Sequence, residues 1–311
     1  MAFERNPLRK LPDGTYCKVF PFHISFMGME KIILCRDDDD YDAFVKHIFV
    51  CAKRKNVIVI IYAVVSNHAH VAILASDLKR AKDFGEEVKR IYSMWFNHKY
   101  RKTGVLAQAD INVQCLDSDW YVRNALAYIP RNALDNGETI TDYPWTGFRA
   151  MFLDDDHTRQ VGRKVSSLSK REREKIFHTN TPLRDVCWLI DSNEELIPSS
   201  ACDHAYLEAA FNNSNAFFLA TIGSLNSAEL TEKLVDTPRQ RQTDSDFLLS
   251  VNEISTRWFH GKKIDELSLE QKIRLIPFIY RTRKTSIKQL ARTFGLERKK
   301  IAGILGIQER E

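Results

Sequence analysis

Nothing in the 311 residues is apolar for long enough to cross a membrane: no run approaches the roughly 18 consecutive residues that such a span needs. The first ten residues, MAFERNPLRK, carry charge without the apolar segment that follows in a secretory signal, so none is expected. Six cysteines (Cys17, Cys35, Cys51, Cys115, Cys187, Cys202) include no CxxC pair, which argues against a disulfide scaffold and a zinc ribbon and fits a reduced, cytoplasmic setting. Missing too is the roughly 8–12-residue strand spacing of a β-sandwich. Net charge is only +5. Its distribution says more than its sum.

What is present is an ordinary globular composition, 44% hydrophobic and 28% charged, on a chain longer than most single cores, which stop growing near ~250–300 residues. One domain with appendages is the simplest expectation. Basic residues concentrate in two stretches. Residues 281–311 hold nine Lys/Arg against three Glu, and residues 79–102 hold eight against one Asp and two Glu. Such segments suit a polyanion bound at discrete places, although solvated helix faces would look the same.

Residues 16–35, YCKVFPFHISFMGMEKIILC, read as a strand, a turn near Met27-Gly28-Met29 and a second short extended piece. In the stretch that follows, Tyr41, Phe44, Val45, Ile48 and Ala52 recur at helical spacing, with Asp37 to Asp40 at one end and Lys/Arg at the other. Carboxylates favour a helix N-terminus, so the Asp run is read as a cap rather than a metal site. VIVIIYAVV (57–65) leads through Ser66-Asn67 into HAHVAILA, predicting two strands and a tight turn. Residues 77–100 form a second helix on the stripe Phe84, Val88, Ile91, Tyr92, Trp95 and Phe96, whose aromatics are expected to pack in the core rather than stack on bases. An extended piece near 105–115 and a helix capped at Asp117 or Ser118 complete an α+β pattern with an antiparallel sheet and segregated helices, as in ferredoxin-like folds.

Composition shifts after Leu153. Residues 154–180 read as a charged linker, 181–280 as a helical region of unassigned role, and 281–311 as a helix-turn-helix. There Ser286 caps a helix over 287–294, Gly295 turns the chain, and a second helix runs from about Glu297 to Leu305. Arg298, Lys299 and Lys300 fall early on that second helix, where a recognition helix meets the major groove, though an ordinary helical hairpin would look similar.

The sharpest local feature is SNHAH, Ser66 to His70. On a strand, residues i and i+2 share a face, so His68 and His70 project in parallel and can converge on one ion. A pair of satisfied core histidines is the competing reading, and Asn67 is read as a brace for the turn. A third ligand is available on the helix at 118–134, where Tyr128 and Asn132 stand at i and i+4. Tyr121 shares that face but is followed at i+4 by Ala125. Only Tyr128 is paired with a group able to coordinate metal.

The apolar strand ending NHAH, the stretch YSMWFNHKYRKTG, the YIPRN helix and the following YPWTGFRA, taken in order, resemble the REP-associated tyrosine transposases, a branch of the single-tyrosine HUH superfamily. The similarity covers about residues 16–150, and the helix-turn-helix end suits longer members. HxH alone is a weak motif; the ordered set carries the resemblance. It implies a ferredoxin-like HUH domain over 1–153 that binds hairpin-bearing single-stranded DNA, cuts beside the hairpin and becomes joined to the 5′ phosphate through tyrosine. By the match, His68 and His70 bind Mg²⁺ or Mn²⁺, Asn132 is the third ligand and Tyr128 the nucleophile. Arg131, Lys99, Arg101, Lys102, Arg298, Lys299 and Lys300 are the expected DNA contacts, with duplex DNA a second partner of the C-terminal segment. The active protein would be a monomer or homodimer. A DNA-binding regulator that keeps the fold without cleavage is the alternative, and a zinc hydrolase a third.

Two departures stand out. Relatives commonly have Met-Pro where this chain has Val65-Ser66, and Tyr-Ile-x-x-Asn-Pro where it has proline at 130 and Ala133 after Asn132. Pro130 cannot donate to the Leu126 carbonyl, a loss of about 3 kcal/mol inside a regular helix, so the helix can kink between Tyr128 and Asn132.

Overall fold

The computed structural model describes residues 3–27, 33–103, 110–136, 138–152, 162–233, 244–283 and 285–307. A small hairpin of β1 (Leu8–Lys10) and β2 (Tyr16–Lys18) precedes the main sheet. Next come β3 (Phe20–Met27), α1 (Asp38–Lys55), β4 (Ile58–Val64), β5 (Ala69–Ala75), α2 (Leu78–Tyr100), β6 (Asp110–Cys115) and α3 (Asp119–Arg131). Strands pair antiparallel in the order β4-β5-β3-β6, so the chain runs β-α-β-β-α-β with its first and third strands side by side. The expected turn at 28–29 and the start of the extended piece at 105–109 lie outside the described residues.

The alternation along β3 decides which face is which. Phe22, Ile24 and Phe26 lie on one side, Pro21, His23 and Ser25 on the other. Register carries both sets across the sheet: Ile24 opposes Val71 and Val113, while Ser25 opposes His70 and Asn112. The apolar side is covered by α1 and α2, with Phe44 against Phe26 and Phe49 against Tyr62 at centroid distances of 5.7 and 5.6 Å. Gly85 on α2 permits that approach, because an added Cβ would stand 2.9 Å from Ile111. On the histidine side lies α3, together with the short 3₁₀ turn Gly147–Ala150 packed on β4.

Each helix start has a local cause. Asp37, Asp77 and Ser118 have extended backbones and accept from the amides of Asp40, Arg80 and Tyr121. Asp37 therefore acts as the cap expected of the Asp run, and Asp40 turns inward to hold Lys99 and Tyr100.

The sequence predicts a charged linker over residues 154–180. Their first part, through 161, lies outside the described residues, but from 162 onward the chain folds against the main core. β7 (Arg163–Lys164) pairs with β8 (Leu189–Ile190) around α4 (Lys170–Ile176), and Val165, Leu168, Ile176 and Phe177 are buried. The charges of SSLSKREREK belong to a helix with a Ser169/Glu172 capping box and one apolar side. Helices α5 (His204–Ala210) and α6 (Asn215–Lys233) then pack beside α3.

The C-terminal part, α7 (Asp244–Trp258), α8 (Leu269–Thr282), α9 (Ile287–Phe294) and α10 (Arg298–Leu305), has its own core of Phe247, Val251, Leu275, Ile279, Leu290 and Ile301. Ser286 caps α9 and Gly295 ends it at φ 63, a left-handed conformation that costs a residue with a side chain about 1–2 kcal/mol. The molecule is thus an α+β unit with an antiparallel sheet, followed by a largely helical region that ends in a two-helix motif.

Candidate active site

The turn Val65–His68 delivers two imidazoles to the face where α3 lies. Val65 closes it by donating its amide to the His68 carbonyl. Asn67 Oδ1 lies 3.0 Å from His68 Nδ1, which fixes the ring by its rear nitrogen and leaves Nε2 forward. Opposite it, 3.2 Å away, is Asn132 Oδ1. Asn132 cannot present its amide the other way round, because Nδ2 donates to the carbonyls of both Tyr128 and Ile129 at 3.0 Å. Pro130 lies two residues before it. The α-helix ends at Arg131 and continues as a 3₁₀ turn over Asn132–Asn136, with the Asn132 amide donating to Ile129. The proline stands at the penultimate helical position and is followed by tighter winding.

Tyr128 is half-buried. Its ring meets that of His70 edge-on at 5.3 Å between centroids, and His68 meets His70 edge-on at 5.1 Å. The Arg131 guanidinium lies over the Tyr128 ring at 5.2 Å, a cation–π contact made by a buried side chain. Burial holds the His70 pKa well below the ordinary imidazole value, with His68 and His23 adding to the effect, so His70 is neutral at physiological pH.

One member was not foreseen. His23 on β3 places Nε2 3.0 Å from His70 Nδ1, and its ring is 6.3 Å from that of Tyr128. Desolvation lowers its pKa to about 4. The strand alternation already set His23 on the face opposite Phe22 and Ile24, and this was the signal available in the sequence.

The structure brings His68, His70, Tyr128, Arg131 and Asn132 together. It does not add the other basic candidates to that group. Lys99, Arg101 and Lys102 stand at the far end of α2, on the opposite side of the sheet. There Lys99 is held by Asp37 and Asp40 at 2.6 and 2.8 Å, Lys102 pairs with Asp265 at 3.3 Å, and Arg101 is exposed at the left-handed cap of α2. Lys299 and Lys300 are exposed on α10, with Arg298 half-buried beside them.

Could these residues hold a divalent cation? Among the described residues no cluster of three or more His, Cys, Asp or Glu is arranged for one. An ion here would take two imidazoles and an amide oxygen. His68 Nε2 and Asn132 Oδ1 stand 3.2 Å apart, close enough for both to be donors to one ion. Neutral donors of this kind would leave a divalent ion's charge uncancelled, with the imidazoles suiting transition-metal ions and the amide oxygen harder ones.

No family model matches the chain, and no curated protein matches it. A solved structure of a REP-associated tyrosine transposase bound to a REP hairpin aligns at 12% identity with a TM-score of 0.32, over 48% of this chain and 84% of that one. A likeness so distant adds nothing to the geometry above. Among the described residues, no helix is long and apolar enough to cross a membrane.

Proposed function

We propose that the protein is a divalent-metal-dependent endonuclease and strand transferase acting on single-stranded DNA beside hairpins, on a ferredoxin-like HUH domain. The observation that carries this reading is the meeting of Tyr128, on a helix, with His68, His70 and Asn132 on one face of a sheet. A lone tyrosine would be an ordinary amphipathic residue. Here its ring lies edge-on to His70 and against the Arg131 guanidinium, beside the amide that faces His68.

A phosphodiester repels nucleophiles with its negative charge. Bound by His68, His70 and Asn132, Mg²⁺ or Mn²⁺ would draw electron density from a non-bridging phosphate oxygen. The Tyr128 oxygen gives up its proton to solvent and forms a bond to phosphorus, and the bond from phosphorus to the 3′ oxygen breaks, that oxygen taking a proton from solvent to leave as a 3′ hydroxyl. The energy of that bond is kept in the 5′-phosphotyrosine ester until a 3′ hydroxyl attacks and releases the phenol. Joining therefore needs no nucleotide cofactor. Arg131, held against the phenol ring, supplies positive charge beside the attacking group. In the same reading α9 and α10 act as a helix-turn-helix on duplex DNA, with exposed Lys299 and Lys300 in the first turn of the second helix.

Incubation with a hairpin oligonucleotide and Mn²⁺, followed by a denaturing gel, tests the reading. The native protein is expected to give a covalent protein–DNA species. Tyr128→Phe is expected to lose that species while hairpin affinity in a native gel stays within about threefold. Adducts that survive Tyr128→Phe reject the assignment.

A further inference from the structure

The reading above needs His70 to offer a lone pair, and a neutral imidazole offers one from only one of its two nitrogens. His70 Nδ1 faces His23 Nε2 at 3.0 Å, so Nε2 is the nitrogen left for an ion. Two arrangements of protons satisfy that contact. In one, His23 donates from Nε2, which places the remaining His70 proton on Nε2 and removes the lone pair a cation would use. In the other, His70 donates from Nδ1 to a bare His23 Nε2, and His70 Nε2 is free. Only the second is compatible with ligation.

We propose that His23 is a positioning residue that accepts the Nδ1 proton of His70 and thereby holds His70 in the tautomer able to bind a divalent cation. The proposal rests on the metal-dependent reading of the site. Its structural basis is the sheet itself. His23 pairs directly with Ala72, two residues along β5 from His70, so the two rings are diagonal neighbours on one face, a relation the backbone ladder enforces. Both rings are largely shielded from solvent, and water is therefore a poor competitor for the contact. Metal-binding histidines in general rely on such an acceptor behind the ring, and its loss weakens the site about 10–100-fold. Here the usual carboxylate or carbonyl is replaced by a second imidazole. The edge-on contact of His23 with Tyr128 at 6.3 Å places the same side chain against the nucleophile's ring, so it touches both groups that must be aligned.

The test uses the full chain, with histidine nitrogens labelled and without metal. Long-range nitrogen–proton correlation spectra report which nitrogen of His70 is protonated, and calorimetry with Mn²⁺ alone reports affinity. In the native protein His70 should carry its proton on Nδ1. His23→Leu, which fills the space but cannot accept, should shift the proton to Nε2 and weaken Mn²⁺ binding about 10–100-fold. His23→Gln, which restores an acceptor at a similar reach, should recover affinity to within about threefold. A native His70 protonated on Nε2 overturns the proposal without recourse to any variant, as does a folded His23→Leu that binds Mn²⁺ as tightly as the native chain. Failure of the native chain to bind Mn²⁺ overturns the metal reading and this proposal together. The metal-free spectrum separates the two failures.

Discussion

His47 on α1 is fully buried between the rings of Tyr92, Trp95 and His178, at centroid distances of 6.2, 6.5 and 6.3 Å. Neither of its ring nitrogens has a hydrogen-bond partner among the described residues. Asp40, equally buried and at the start of the same helix, receives hydrogen bonds from Lys99, Tyr100 and the Arg36 amide. The contrast separates a charge that is compensated from a polar group that is not. Desolvation, aided by His178, Arg54 and Lys46, lowers the His47 pKa to about 3. The unfolded chain titrates near 6.5, so between these values it binds the proton that the folded chain refuses. Stability is therefore full above pH 6.5 and is lost as pH falls toward 3. His47→Leu should stabilise the protein by about 1 kcal/mol at pH 8, through removal of an unsatisfied group. At pH 5 the gain should grow by roughly 2 kcal/mol more, at about 1.4 kcal/mol per unit below 6.5. Urea midpoints at the two pH values check this; equal shifts at both would show that His47 is already charged or solvated.

At the level of elements, the legible parts are those whose causes are local. The expected helix over 77–100 is found at Leu78–Tyr100, and the one capped at Asp117 or Ser118 starts at Asp119, because the side chain that begins each helix is next to it in sequence. The C-terminal pair is the clearest case. Ser286 and Gly295 set its boundaries, and Leu290, Ala291 and Ile301 fill its core. In the site, the spacing of His68 with His70 and of Tyr128 with Asn132 could be read directly. Their meeting across 64 residues, seen in the His68–Asn132 contact, is set by the packing of α3 on the sheet, which neither spacing fixes. His23 was not legible as a partner of His70, since polar residues alternating along a strand look the same whether they face solvent or another imidazole. The region after 162 failed for a related reason. Two-residue strands and a seven-residue helix have too little periodicity to announce themselves, and what holds them is distant: Arg54 on α1 binds Thr179 and Thr181.

Across the whole molecule, the C-terminal region is tied to the turn that precedes the histidines. Buried Asp244 at the start of α7 receives two hydrogen bonds from Arg292, at 2.7 and 2.9 Å, one from Gln289 and one from the Ser66 hydroxyl at 3.1 Å. Ser66, in the turn before the histidines, thus provides a hydroxyl that reaches across 178 residues. Arg36 and Lys102 reinforce the contact through Asp265. Asp244→Ala should cost about 3 kcal/mol, the low end for breaking a buried pair, because Arg292 keeps some contact with water. Hydrogen exchange should then rise in α7 to α10 before it rises in the sheet, and a uniform rise through both would show that the two parts unfold as one. The central claim, however, concerns the place where the sheet meets α3. Diffraction at the manganese edge from crystals soaked in Mn²⁺ tests it most directly. The account predicts an anomalous peak bonded to His68, His70 and Asn132 Oδ1, with the Tyr128 hydroxyl beside it. A peak only at other residues, or none at these three when hairpin DNA is bound, would contradict it.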